Sequence, residues 1–82
     1  MLSYEPGMLV RSLAGHDKGK LYIIIEERDQ MLLLSDGKIR TMERPKTKKV
    51  MHLQLIKEKL EEKEMTDISI RSFIKKYQKE HM

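Results

Sequence analysis

Two apolar runs, Leu21-Tyr22-Ile23-Ile24-Ile25 and Met31-Leu32-Leu33-Leu34, constrain this chain more than any other feature in it. β-branched residues are stiff at their first side-chain torsion and favour extended backbone. The pattern therefore predicts a strand over residues 21–26, a polar connection over 27–30 and a returning strand over 31–34. A strand with one wet face alternates apolar and polar residues, and neither run does, so both faces of this hairpin need cover. A barrel interior covers one. The other falls to a terminal helix or to a second copy of the chain.

Turn signals place further strands around that hairpin. Glu5-Pro6-Gly7 precedes a strand over residues 8–13, and a glycine-bounded loop follows over 15–19. Asp36-Gly37 favours a two-residue hairpin turn leading to a fourth strand over 38–42. Pro45 interrupts that ladder. Residues 50–56 then alternate, with Met51, Leu53 and Leu55 on one side and Val50, His52 and Gln54 on the other. The fold class expected is mainly β with a C-terminal helix: about five strands in a small, strongly bent antiparallel sheet or barrel.

Residues 57–64 carry a single leucine and read as a solvated, charged linker or a frayed helical turn. Thr66-Asp67 can cap a helix start. Ile70, Phe73, Ile74 and Tyr77 follow at helical spacing, with Arg71, Lys75, Lys76 and Lys79 elsewhere on the surface. The organisation expected is a barrel over 1–56, a linker over 57–65 and an amphipathic helix over 66–82 that packs on the barrel or on a partner. With 82 residues the chain makes one small domain.

Charge narrows the function. Residues 1–57 hold eleven Lys/Arg against seven Asp/Glu, whereas 58–82 hold six against six, so the surplus lies in the first part. Lys38, Arg40, Arg44, Lys46, Lys48 and Lys49 face one acid, Glu43, within twelve residues. Such a cluster attracts polyanions, though a solvated surface has the same composition. The chain has no cysteine, no apolar run long enough to span a membrane and no signal-like N-terminus. A soluble cytoplasmic protein without a membrane partner is expected.

Enzymatic chemistry finds no foothold. His16, His52 and His81 share no metal-ligand spacing. Asp17, Asp29 and Asp36 fall in predicted turns, where aspartate favours local hydrogen bonds. No serine sits in a nucleophile-elbow context. Neither catalysis nor a cofactor is expected, and Met31, Met42 and Met51 read as core filler.

The glycine loop has two readings. Gly15 and Gly19 can adopt angles that turn successive amides into one concavity, flanked by Lys18 and Lys20 with His16 as a further donor. Such a concavity suits a phosphate oxygen. A plain turn uses the same residues. No Gly-Lys-Ser/Thr ending and no following helix make it a nucleotide-binding loop.

From Val10 and Arg11 through Gly15-His16-Asp17-Lys18-Gly19-Lys20 into the apolar strand, the chain resembles the KOW motif. The likeness continues through residues 35–40, Glu43-Arg44-Pro45-Lys46 and Lys48-Lys49-Val50-Met51-His52-Leu53. Together these resemble the KOW-domain large-subunit ribosomal proteins of archaea and eukaryotes and their short bacterial relatives. The resemblance implies an SH3-like barrel that contacts RNA, most often ribosomal. By position it gives Gly19 the motif's central glycine, and Lys18 and Lys20 its flanking cations. Tyr22 stands where many KOW motifs carry glycine, which makes the ribosomal type the closer fit.

Only Tyr4, Tyr22, Phe73 and Tyr77 are aromatic, too few for base stacking on clustered rings. The function expected is contact with the phosphate backbone of structured RNA. Arg11, His16, Lys18, Gly19 and Lys20 would contact one segment, and Lys38, Arg40, Arg44, Lys46, Lys48 and Lys49 another. About six phosphate contacts give a log–log salt slope of roughly −4 to −5. The alternative is a protein–protein adaptor on a ribosome or transcription complex, with a homodimer through the apolar hairpin or the helix as its signature.

Overall fold

The computed structural model describes residues 4–81, so residues 1–3 of the expected barrel and Met82 of the expected helix lie outside the described residues. Five strands, β1 (Met8–Ser12), β2 (Leu21–Arg28), β3 (Met31–Ser35), β4 (Lys46–Lys49) and β5 (Leu53–Lys59), form one antiparallel sheet in the order β4-β3-β2-β1-β5. A helix, α1 (Asp67–Glu80), follows. This is a small SH3-like barrel with a C-terminal helix, as expected.

Strand β2 explains the layout. Tyr22 and Ile24 point into the barrel with Val10, Leu32, Leu34 and Leu53. Leu21 and Ile23 point outward, where they meet Leu9 and the helix residues Ile70 and Ile74. The helix of the same chain therefore supplies the second cover. Fully burying a side chain such as Ile70 contributes roughly 1.5–3 kcal/mol. A bulge between Ile24 and Glu26 adds one residue to β2 against β3, which bends the strand and increases its twist.

The helix starts where its sequence says. Thr66 Oγ1 accepts from the Ser69 amide at 3.0 Å, and Ser69 Oγ accepts from the Thr66 amide at 2.8 Å. This reciprocal cap satisfies two donors that a helix end leaves open. Asp67 adds a negative charge to the first turn and accepts from the Met42 amide at 2.8 Å, linking the helix to the β3–β4 loop.

Four expectations about the sheet fail, each for a local reason. The two-residue hairpin lies at Asp29-Gln30, both with positive φ, and Arg28 pairs with Met31. Residues 38–42 are not a strand, because Asp36 Oδ1 accepts from the amides of Lys38, Ile39 and Arg40 at 2.9–3.0 Å and curls the chain. The fourth strand begins instead directly after Pro45, with Lys46 opposite Leu34. Residues 50–52 form a 3-10 turn that leaves Met51 exposed, so Met51 is not core filler. Finally, β5 runs on into the expected linker as far as Lys59, which pairs with Met8. Leu60 and Met65, also in that segment, pack against the helix-side core.

Candidate nucleic-acid interface

Asp17 is the centre of the β1–β2 loop, and its side chain is buried. Ser12 Oγ donates to its Oδ1 at 3.0 Å, Tyr22 Oη to its Oδ2 at 2.9 Å and Lys48 Nζ to its Oδ1 at 2.9 Å. Lys46 Nζ stands 3.4 Å from Oδ2. Burial alone would raise the carboxyl pKa, but these donors and the Lys46 charge outweigh it and hold Asp17 well below the usual carboxylate range. The same burial, followed by the bond to Asp17, pushes the Tyr22 hydroxyl well above its ordinary value. Asp17 thus makes the local bonds that the sequence suggested, to Ser12 and Tyr22, and adds long-range ones to Lys46 and Lys48.

The consequence for the expected basic patch is direct. Register explains it: Lys46 and Lys48 lie opposite Leu34 and Leu32, so all four side chains share the sheet's inner face. Lys48 also donates to the Ala14 carbonyl at 3.0 Å. These two cations neutralise Asp17 and hold the loop, and they are not free to meet a polyanion. Lys49, of opposite parity, lines a groove of about 490 Å³ with Glu27, Asp29, Gln30 and Met51. That mixture of charges suits no phosphate chain.

Three amides of the glycine loop are committed within the turn. The amides of Lys18, Gly19 and Lys20 donate to the carbonyls of Gly15, Ser12 and Asp17 at 3.2, 2.8 and 2.9 Å. Of the two readings, these three amides follow the plain turn. Gly19, at φ +92°, has open space where a Cβ would lie, so its surface is accessible even though its amide is committed. Arg11 lies beside it, with Nη1 3.4 Å from the Gly19 carbonyl.

Cations do converge, but on a surface the sequence left unassigned. Lys20 from the β1–β2 loop and Lys38 from the β3–β4 loop meet Arg71 and Lys75 of α1 around a groove of about 370 Å³. Leu21 and Ile74 form part of its lining, and Asp36 and Gln78 complete it. Four cations face one carboxylate, an arrangement that attracts phosphate. The β3–β4 loop can approach the helix this closely because residue 37 is glycine. A Cβ there would overlap the Asp67 carbonyl oxygen and come within 2.8 Å of the Arg71 nitrogen, and its φ is +73°.

Of the other expected contacts, His16, Lys18, Arg40 and Arg44 are exposed but do not line this groove. Arg71 and Lys75 escaped the sequence reading because the acids of residues 58–64 cancel the helix cations in a regional count. Their spacing of four, on either side of Ile74, was the available signal.

Among the described residues no group of three or more His, Cys, Asp or Glu could hold a metal ion, and no helix is long and apolar enough to cross a membrane. No protein-family model matches this chain, and no curated protein matches it with significance.

Proposed function

We propose that this chain binds structured RNA through its phosphate backbone, using the groove where Lys20, Lys38, Arg71 and Lys75 converge. The observation that carries this reading is that convergence: two barrel loops and the helix each bring cations to one open concave surface. Phosphate contacts by lysine and arginine supply affinity without sequence information. The resemblance of residues 10–20 and of the segments through Leu53 to KOW-domain ribosomal proteins directs the choice toward ribosomal RNA. Arg11 and the exposed Lys18 beside Gly19 extend the basic surface at the same loop.

The test is fluorescence anisotropy with a folded ribosomal RNA hairpin over a range of salt concentrations. Salt-dependent binding that is lost when Lys20, Lys38, Arg71 and Lys75 are all replaced by glutamate supports the reading. Binding that survives this change intact removes the groove from it.

Protein docking is the second reading, favoured by Met51, which is 75% exposed beside the groove of about 490 Å³. A stable dimer in solution that buries Met51 would shift weight to it.

A further inference from the structure

Resting on the RNA reading, we propose that the groove between the barrel loops and α1 receives an unpaired nucleobase, extruded from a bulge or loop, while its cationic rim holds the flanking phosphates. Shape is the first ground. The surface of a duplex is convex and needs only a basic face, whereas this groove of about 370 Å³ falls within the roughly 300–1,000 Å³ range of small-ligand sites. Its lining is the second. Leu21 and Ile74, otherwise buried, offer an apolar surface to a flat ring. The guanidinium plane of Arg71 can stack on a base where no aromatic side chain is present.

Asp36 is the third ground. Its Oδ1 accepts from the amides of Lys38, Ile39 and Arg40, while no described residue donates to Oδ2. That oxygen can accept from a ring amino group. The Gln78 amide, which donates and accepts, lines the same groove. Adenine, cytosine and guanine present an exocyclic amino group. Uracil presents one N3–H between two carbonyl oxygens, which a carboxylate repels. The pocket thus favours an amino-bearing base.

The experiment uses the full chain and three RNA hairpins of one sequence: fully paired, with a single bulged adenine, and with a single bulged uracil. Affinities are read at one salt concentration, and 2-aminopurine in the bulge reports stacking. The adenine bulge is expected to bind about tenfold tighter than the paired hairpin, the scale of one stacked base, with a change in 2-aminopurine emission. Asp36→Asn keeps an acceptor for the three amides and replaces the free oxygen with a donor, so the preference for adenine over uracil should fall severalfold. Should that loop misfold, Gln78→Ala, on the exposed helix surface, provides the same reading of the base edge. Equal, salt-dependent affinity for paired and bulged hairpins overturns the inference and leaves backbone binding standing. Failure to bind any hairpin overturns both.

Discussion

The ammonium of Lys48 donates to Asp17 Oδ1 at 2.9 Å and to the Ala14 carbonyl at 3.0 Å, tying the edge strand β4 to the β1–β2 loop. Both side chains are nearly buried, at 12% and 9% exposure. Removing one partner of a buried pair leaves a charge without compensation, at a cost of about 3–5 kcal/mol. Lys48→Met should therefore lower the urea midpoint sharply, towards the smaller figure because Lys46, Ser12 and Tyr22 still reach Asp17. Adding Asp17→Asn to Lys48→Met should cost less than the two single changes summed. Strict additivity would show that the pair does not act as a unit.

The pH dependence of stability follows from the same cluster. Asp17 has a folded pKa below its ordinary 3.8, so the folded state binds fewer protons there than the unfolded chain. Its contribution is present above that value and is lost as pH falls below it. Tyr22 has a folded pKa above its ordinary 10.0, so its contribution is lost as pH rises past 10. Urea titrations across pH should show both limbs. Asp17→Asn should flatten the acid limb and Tyr22→Phe the alkaline one.

Two glycines with similar φ should respond differently to alanine. Gly19→Ala meets no atom and costs only the left-handed backbone, roughly 1–2 kcal/mol. Gly37→Ala meets the same backbone cost and in addition drives its methyl into the first turn of α1. It should be the more destabilising of the two by at least about 1 kcal/mol and should release the helix, seen as lost amide-exchange protection over α1. Equal effects would mean that the loop does not press on the helix.

The four groove cations account for roughly −3 to −4 of the salt slope for RNA binding, to which Arg11 and Lys18 add where they too meet phosphate. Each reversal among Lys20, Lys38, Arg71 and Lys75 should weaken binding and reduce the slope by about 1. Lys49→Glu, in the groove with Glu27 and Asp29, should leave affinity unchanged. Reversal at Lys46 or Lys48 should unfold the protein before it tests binding.

Local pattern alone located β1, β2, β3 and the capped start of α1, since periodicity, β-branching and capping chemistry act over a few residues. It also required a second cover for the 21–34 hairpin, because a run without alternation cannot leave a face wet. What the residues could not reveal is how their cations divide. Lys46, Lys48 and Lys49 look alike along the chain, and only the register of β4 against β3 turns two of them inward to Asp17. Likewise Arg71 and Lys75 join Lys20 and Lys38 only because α1 docks beside the loops, across more than thirty residues of sequence. Charge is a property of the residue, but a charged surface depends on which residues folding makes neighbours.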